Sequence, residues 1–333
     1  MEKKLLILTN TQDGINTLSV MDHIDRAGIE VFRYDSDIMQ IGELAISALV
    51  NPDGVLGFVL KDNKGNSCKI DEVGAAWYRR PNTFGFDQAS GNNSLELAIS
   101  DELKEAQQAW FGTVPDDKWL NNPKEMRKIN PKIQQLVEAN RAGFNTPPTL
   151  VTNDSEAFRE FLETYRKIVL KSFRPVFFQD KQEDTPRMLF TTVIDIDTFD
   201  DYELVKNMPI LLQKYIDKDY ELRITVVEDQ IFVSKVVTSE KAKDDWRKHQ
   251  FTDEVSFEIA PNEDQQLLER CIEFVKSHNL KYGVFDIIHD KSGVDHFLEL
   301  NTNGQWYWLE HSLGFPISKA IADSLIRIYQ QNN

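Results

Sequence analysis

The sequence predicts an α/β domain at the N-terminal end of the chain, followed by an α+β unit. Residues 4–8 form a short apolar run, residues 15–27 carry a helical pattern, and residues 30–33 are again typical of a strand. Strand, helix and strand in this order indicate a parallel sheet. After residue 119, strand patterns follow one another with few helices between them, which is typical of an α+β unit. The length of 333 residues also favours more than one domain.

The other N-terminal elements follow from short apolar patterns and turn residues. Residues 55–60 and 68–70 predict a hairpin, residues 75–78 a short strand and residues 95–111 a long helix. The polar, proline-containing segment 119–123 then predicts a boundary between domains.

The α+β unit is predicted to contain two long helices and several strands. A helix over 132–142 should stop at Gly143, because glycine readily adopts the left-handed conformation that ends many helices. A second helix is predicted over 267–278. Strands are predicted over 168–173, 188–193, 210–216, 221–227, 230–238, 283–289 and 296–301.

Composition argues against several classes of protein. The chain has 38 basic and 54 acidic residues, and its net charge of −16 disfavours nucleic acid as a partner. Its two cysteines form no CxxC pair, so neither a disulfide scaffold nor a structural zinc site is expected. No apolar run approaches the ~18 residues of a membrane span, and residues 1–10 are unlike a signal peptide. We therefore expect a cytoplasmic protein with no membrane partner.

The hairpin over 283–301 is the most informative feature. A two-residue turn at Ser292-Gly293 would place Asp286 directly opposite Glu299, with Asn301 on the same face. Two carboxylates whose Cβ atoms lie roughly 4.5–5.5 Å apart repel each other, and their apolar neighbours raise the cost. A divalent cation with oxygen ligands would relieve this repulsion. The alternative is an exposed hairpin face, and a slip of one residue would move the set to the other face.

The segment Glu299-Leu300-Asn301-Thr302-Asn303, after Phe285-Asp286, resembles the metal-binding end of ATP-grasp ligases. It is most similar to the subgroup that modifies ribosomally made peptides, the microviridin-type or graspetide ligases. Further segments support this resemblance in the expected order: Trp77-Tyr78-Arg79-Arg80-Pro81, Lys132-Ile133-Gln134-Gln135-Leu136, Val169-Leu170-Lys171, Gln213-Lys214-Tyr215-Ile216, Glu221-Leu222-Arg223 and Asp245-Trp246-Arg247. The resemblance implies a pre-ATP-grasp α/β domain over 1–118, a central ATP-grasp subdomain over 119–208 and a C-terminal ATP-grasp subdomain with the metal site over 209–333.

The resemblance also implies which residues bind ATP and Mg²⁺. Lys132 and Lys171 would neutralise the ATP phosphates, and Lys128 is the nearest competitor of Lys132. Adenine and ribose would be bound by Gln213, Lys214, Tyr215, Ile216 and Glu221. The Mg²⁺ ligands would be Asp286, Glu299 and Asn301. Residues 172–187 contain no glycine, so instead of a glycine-rich loop the cations Arg174, Lys181 or Arg187 would contribute there.

The arginines carry the expectation about the substrate. Arg223 should contact the γ-phosphate and then an acyl phosphate, because its planar guanidinium suits both carboxylate and phosphate groups. Arg79, Arg80 and Arg247 are expected to bind an acidic peptide segment, and Arg80 and Arg247 also to act in catalysis. The alternative is that these arginines form structural ion pairs.

The implied function is an ATP- and Mg²⁺-dependent ligase. It would activate Glu or Asp side chains of a precursor peptide as acyl phosphates and join them to Thr or Ser (ester) or to Lys (amide). The peptide would have a leader and a Thr- and Glu-rich core, and the enzyme would be a homodimer. Two alternatives remain: an ATP-grasp ligase that adds glutamate or another amino acid to a protein or small peptide, and a non-catalytic nucleotide-binding module.

Overall fold

A computed structural model describes the chain over residues 2–54, 56–81, 93–173, 177–178, 187–188, 191–243, 246, 252–260 and 264–333. Its strands are β1 (Lys4–Thr9), β2 (Val31–Asp35), β3 (Leu44–Val50), β4 (Leu56–Asp62), β5 (Ser67–Lys69), β6 (Val73–Tyr78), β7 (Trp119–Leu120), β8 (Thr149–Thr152), β9 (Lys167–Lys171), β10 (Phe177–Phe178), β11 (Arg187–Met188), β12 (Thr192–Asp195), β13 (Ile210–Lys214), β14 (Lys218–Val227), β15 (Gln230–Thr238), β16 (Val255–Ile259), β17 (Tyr282–Asp290) and β18 (Asp295–Asn301). Its α-helices are α1 (Gly14–Arg26), α2 (Asn93–Phe111), α3 (Pro123–Ile129), α4 (Lys132–Arg141), α5 (Ser155–Tyr165), α6 (Gln265–Ser277), α7 (Tyr307–Leu313) and α8 (Ile317–Gln331). Short 3-10 helices cover Ser36–Ile41, Ile70–Glu72, Asp116–Lys118 and Tyr202–Val205.

The N-terminal sheet has the strand order β2-β1-β6-β7, and all of its pairs are parallel. The predicted α/β arrangement is therefore confirmed. The apolar side chains of β1 are completely buried, as is usual for parallel strands with elements packed on both faces. Both α1 and α8 contribute to the core beneath this sheet. Gly74 on β6 lets α8 approach closely, because a Cβ atom there would lie 2.7 Å from the ring of Tyr329.

A second, antiparallel sheet has the order β3-β4-β5. The predicted hairpin of β4 and β5 is confirmed. Strand β3 was not predicted, because most of its side chains are exposed and give no clear alternation. The segment predicted as a domain boundary contributes β7, which pairs with β6 of the N-terminal sheet.

The central sheet has the order β12-β9-β13-β8 and is antiparallel. Helix α5 packs against it through Phe158 and Leu162, both completely buried. The predicted single strand over 188–193 is wrong in part. Met188 pairs within β10–β11 and Thr192 within β9–β12, while residues 189–190 lie outside the described residues.

The C-terminal sheet has the order β16-β15-β14-β17-β18 and is antiparallel, as predicted for the α+β unit. Helix α6 covers one face, and the rings of Phe144, Phe274, Phe285 and Phe297 pack together in the core there. Strand β18 lies at the edge of the sheet. Among the described residues, the helices are too short or too polar to cross a membrane.

Candidate active site

Asp286 on β17 and Glu299 on β18 lie directly opposite each other, as predicted. The predicted turn, however, is one residue too short. Asp290 and Val294 are hydrogen-bonded across a three-residue loop in which Gly293 has a φ of 85°. This longer loop alone would shift the register, but a bulge at Leu298 restores the pairing before it reaches Glu299. The prediction is right because two deviations from a regular hairpin cancel.

Each of the two carboxylates has a cation beside it. Nη1 of Arg223 donates to Oδ1 of Asp286 at 2.7 Å, and both residues are buried. Nζ of Lys132 lies 3.4 Å from Oε2 of Glu299. The repulsion that was expected to require a metal is therefore already balanced by protein cations. The oxygen-donor set remains well suited to a hard divalent cation, and the family resemblance carries the metal assignment.

A pocket of about 190 Å³ opens beside these groups. Lys132, Glu299 and Asn301 line it, and the rest of its wall consists of Asn130, Gln135, Leu300, Thr302 and Asn303. Asn301 is exposed, and its side-chain oxygen accepts from the backbone N–H of Asn303. Three of the predicted site residues thus share one cavity, with carboxylate and amide oxygens and an ammonium group facing it.

Arg223 keeps donor capacity for an anion. Its side chain is 8% exposed, Nη1 binds Asp286, and Nη2 donates to the backbone oxygen of Gln305 at 3.2 Å. Its Nε has no hydrogen-bond partner among the described residues. An unpaired buried donor is costly, and because this Nε is closed off from solvent, a phosphate oxygen would reach it only after neighbouring atoms move. The ring of Trp308 lies 5.8 Å from the guanidinium carbon.

The predicted nucleotide residues of the central sheet are linked to one another. Nζ of Lys171 donates to Oε1 of Gln213 at 2.7 Å, and Nε2 of Gln213 donates to the hydroxyl of Thr149 at 3.0 Å. The Gln213 side chain therefore orients Lys171, which leaves mainly backbone atoms of this segment to contact a base. Lys214 is exposed, and its Nζ lies 5.9 Å from the ring of Tyr165.

The last two residues of this segment, Tyr215 and Ile216, are followed closely in the chain by Glu221. Tyr215 and Ile216 are half-buried, and the Tyr215 N–H donates to the backbone oxygen of Lys167. The carboxylate of Glu221 accepts from the buried Lys218. A ribose hydroxyl would share Glu221 with that ammonium group. The predicted ATP-binding roles of these residues stay predictions.

Arg79 is completely buried and is committed to protein partners. Its Nε and Nη2 bind the two carboxylate oxygens of Asp13 at 2.7 and 3.0 Å. Nη1 donates to the backbone oxygens of Asn303 and Gly304 at 2.8 and 3.0 Å, and Trp306 stacks at 4.6 Å. This geometry favours a structural ion pair over the predicted direct contact with a substrate, since the guanidinium reaches the site only through the backbone after Asn301.

Arg80, by contrast, is exposed and has a φ of 50°. Its backbone oxygen accepts from Nδ2 of Asn10 at 2.7 Å, which helps to hold the left-handed conformation. A non-glycine residue in this region is strained, and such residues concentrate at functional sites. The exposed guanidinium remains available for the predicted contact with a peptide.

The third predicted arginine, Arg247, lies outside the described residues, as do Asp245 and the side chains of Arg174, Lys181 and Arg187. Trp246 of the same motif is described and buried. Its ring lies 5.6 Å from that of Trp308 and 5.7 Å from that of Phe257. Since Trp308 also lies over Arg223, Trp246 is anchored near the residue that was predicted to contact the γ-phosphate.

Several buried amides that the sequence analysis did not identify hold the start of β17 and the chain after β18. Asn121, in the predicted boundary segment, uses its whole amide: Oδ1 accepts from the N–H groups of Lys281 and Tyr282, and Nδ2 donates to the oxygens of Tyr282 and Thr302. Oδ1 of Asn16 accepts from the N–H of Tyr307 at the start of α7. Asparagine is usually exposed, so the sequence offers no signal that these amides are buried.

Comparison with known proteins places the chain among peptide-modifying enzymes. A family model described as the MvdD pre-ATP grasp domain matches residues 4–127, and a model of the RimK-like ATP-grasp domain matches residues 132–325. A RiPP-associated ATP-grasp ligase of Chryseobacterium gregarium, solved with ADP and a leader and core peptide, is 27% identical over 98% of this chain and 97% of its own, with a TM-score of 0.84.

Two macrocyclases of Microcystis aeruginosa are similarly related. MdnC, solved with its precursor peptide MdnA, is 26% identical over 97% of this chain and 99% of its own, with a TM-score of 0.84. MdnB is 27% identical over the same shares, with a TM-score of 0.79. No curated protein matches the chain.

Proposed function

The chain belongs to the RimK-like ATP-grasp family, and from this premise we propose that it is a ligase that macrocyclises a ribosomally made precursor peptide. The observation that carries the proposal is the extent of the similarity. Peptide-modifying ligases align with 97–98% of this chain and with nearly all of their own length. The retained set of Lys132, Arg223, Asp286, Glu299 and Asn301 supports a catalytic protein rather than a binding module.

The reaction has two steps. A Glu or Asp carboxylate of the peptide attacks the γ-phosphorus of ATP, the bond from that phosphorus to the bridging oxygen breaks, and ADP leaves. A Thr or Ser hydroxyl, or a Lys amine, then attacks the acyl carbon of the resulting acyl phosphate. Inorganic phosphate leaves with the bonding electron pair, and the nucleophile loses its proton. Each new bond therefore removes one water from the peptide.

In this reaction some of the described residues would neutralise charge, and others would position the nucleotide. Asp286, Glu299 and Asn301 would hold Mg²⁺, which when bound neutralises phosphate oxygens. Lys132 and Lys171 would bind the ATP phosphates, and Arg223 would contact the transferred phosphoryl group through its guanidinium. The adenine would lie against the backbone of 213–216, with Glu221 accepting from the ribose hydroxyls.

Recognition of the peptide is assigned to the arginines. Arg80 would bind a carboxylate of the acidic core, together with Arg247. Arg79 would act on the site through its hydrogen bonds to the backbone of 303–304. Ester or amide formation, the homodimer and the cytoplasmic location stay predictions.

The test combines enzyme, ATP, Mg²⁺ and a short Thr- and Glu-rich peptide encoded beside the gene. Mass spectrometry should reveal the loss of one water per bond, with one ADP released for each. Glu299→Gln is the inactive control. Addition of whole amino acids to the peptide would overturn the proposal in favour of an amino-acid ligase. Absence of ADP release with that peptide would overturn it in favour of a nucleotide-binding module.

A further inference from the structure

The backbone between Glu299 and Asn301 is held by a single side chain, that of Gln135. Its Nε2 donates to the backbone oxygen of Leu300 at 2.7 Å, and its Oε1 accepts from the Leu300 N–H at 2.9 Å. Gln135 is 4% exposed, although it lies on a helix whose other polar residues mostly face solvent. The buried Gln135 amide thus makes with the N–H and the oxygen of Leu300 the two hydrogen bonds that a neighbouring strand would otherwise make.

The Gln135 amide can take the place of a neighbouring strand because β18 is the edge strand of its sheet. Backbone groups on the edge of a sheet lack a strand partner. At this edge, single residues from other segments form hydrogen bonds at separate positions. The oxygen of Asn145 accepts from the N–H of Phe297 at 2.8 Å, and Oδ1 of Asn130 accepts from the Thr302 hydroxyl at 2.7 Å. A side-chain amide offers both the donor and the acceptor that Leu300 requires.

The same helix carries the predicted phosphate lysine. Lys132 and Gln135 are three residues apart on α4 and therefore lie on one face. Lys132 reaches Oε2 of Glu299 at 3.4 Å, while Gln135 binds the next residue of the strand. The two contacts fix the helix against the strand, and so fix the phosphate lysine against the carboxylate of the metal site.

We propose that Gln135 is a positioning residue that holds Glu299 and Asn301 in the geometry that binds the divalent cation and keeps Lys132 in register with them. It acts through the backbone of Leu300. This inference rests on the proposed function for the identity of the cation and of the nucleotide.

The chain offers a matched control one residue away. Gln134 is exposed, and within the part of the chain that the structure describes its Nε2 donates only to Glu138, one turn further along α4. Gln135→Met removes both bonds to Leu300 at nearly constant size, and Gln134→Met tests the same chemical change without them. Gln135→Asn shortens the side chain by one methylene, which withdraws the amide from Leu300, and serves as a second variant if Gln135→Met does not fold. Thr302→Val removes the neighbouring bond to Asn130.

The experiment titrates Mn²⁺ into protein that is saturated with ADP and follows bound metal by electron paramagnetic resonance. We expect Gln135→Met to weaken Mn²⁺ binding by about tenfold or more, in the range typical of residues that support metal ligands. We expect a smaller loss for Thr302→Val and no change for Gln134→Met. In turnover with the peptide, the Mg²⁺ concentration for half-maximal rate should rise, while the KM for peptide should stay constant.

Unchanged Mn²⁺ affinity in folded Gln135→Met, or equal losses in the two glutamine variants, would overturn the inference. So would wild-type affinity in Gln135→Asn if that variant alone folds. Failure of the wild-type protein to modify any peptide would instead count against the proposed function, because Mn²⁺ binding with ADP is measured without peptide.

Discussion

Arg223 and Asp286 face each other across neighbouring strands, with Nη1 of the guanidinium 2.7 Å from Oδ1 of the carboxylate. Both side chains are more than nine-tenths buried. The residue expected to bind the γ-phosphate is therefore paired directly with a residue expected to bind the metal. A bound metal ion would interact with the Asp286 carboxylate of this pair, and a bound phosphate would interact with the Arg223 guanidinium.

The first prediction concerns the stability of this pair. Arg223→Met should lower the free energy of unfolding by about 3–5 kcal/mol, because it removes the guanidinium that faces the buried Asp286 carboxylate. Adding Asp286→Asn to Arg223→Met should recover part of that loss. Urea unfolding of the two single variants and the double variant measures this coupling, and strictly additive losses would contradict it.

The second prediction concerns Glu299 on β18, the carboxylate that is predicted to bind the metal. Glu299→Gln should lower the rate of ADP release by about a hundredfold or more, since metal binding supplies several kcal/mol of charge stabilisation. Glu258→Gln, an exposed change on β16 of the same sheet, is the control and should keep full activity. A Glu299→Gln variant with wild-type turnover would refute the metal assignment.

The third prediction separates the two adjacent arginines. Arg79→Met should cost about 3–5 kcal/mol of stability, because the buried Asp13 would keep the Thr17 hydroxyl but lose its cation. Arg80→Met should change stability by no more than about 0.5 kcal/mol and raise the KM for the acidic peptide by about tenfold, equivalent to about 1.4 kcal/mol of binding. Thermal unfolding and peptide titration together distinguish the two. Equal destabilisation by both would contradict the assignment.

The fourth prediction concerns pH and the turn of the last hairpin. Hydrogen bonds from the Ser292 hydroxyl, the Val294 N–H and His296 hold the pKa of Asp290 well below its usual value. A carboxyl group with a lowered folded-state pKa stabilises the fold above its unfolded pKa of about 3.9. That contribution is lost as the pH falls from there toward the folded pKa.

The stabilisation of wild type over Asp290→Asn should therefore be full at pH 6 and smaller at pH 3. Urea midpoints at the two pH values measure it, and the exposed substitution Asp253→Asn is the control. An advantage that grows as the pH falls would contradict the sign of the argument.

Much of the fold follows from local pattern, but the site depends on contacts that are distant in sequence. The buried run of β1 and the apolar residues of β17 and β18 are local signals that survive in the structure. The bulge at Leu298 leaves no such signal, and the register was right only because the longer turn offset it. A prediction from hydrophobic pattern alone cannot detect that a longer turn and a bulge cancel each other.

The arginines illustrate a second limit. Arg79 and Arg80 are chemically identical in the sequence, yet one is completely buried against Asp13 and the other is exposed. The difference arises because Arg79 meets residues 13 and 303–304, which only the tertiary fold brings together. Gln135 is hidden for the same reason, since its partner lies 165 residues further along the chain.

The packing of α8 against the N-terminal sheet has a consequence for biosynthesis. The strands that start the fold are made early, but the helix that covers them, together with its contact between Tyr329 and the backbone of Lys3, emerges from the ribosome some three hundred residues later. Until then α1 alone covers the face of the nascent sheet that it later shares with α8. Newly made chains should therefore depend on chaperones during translation, and a fragment that ends at residue 127 should aggregate where the full chain remains dispersed.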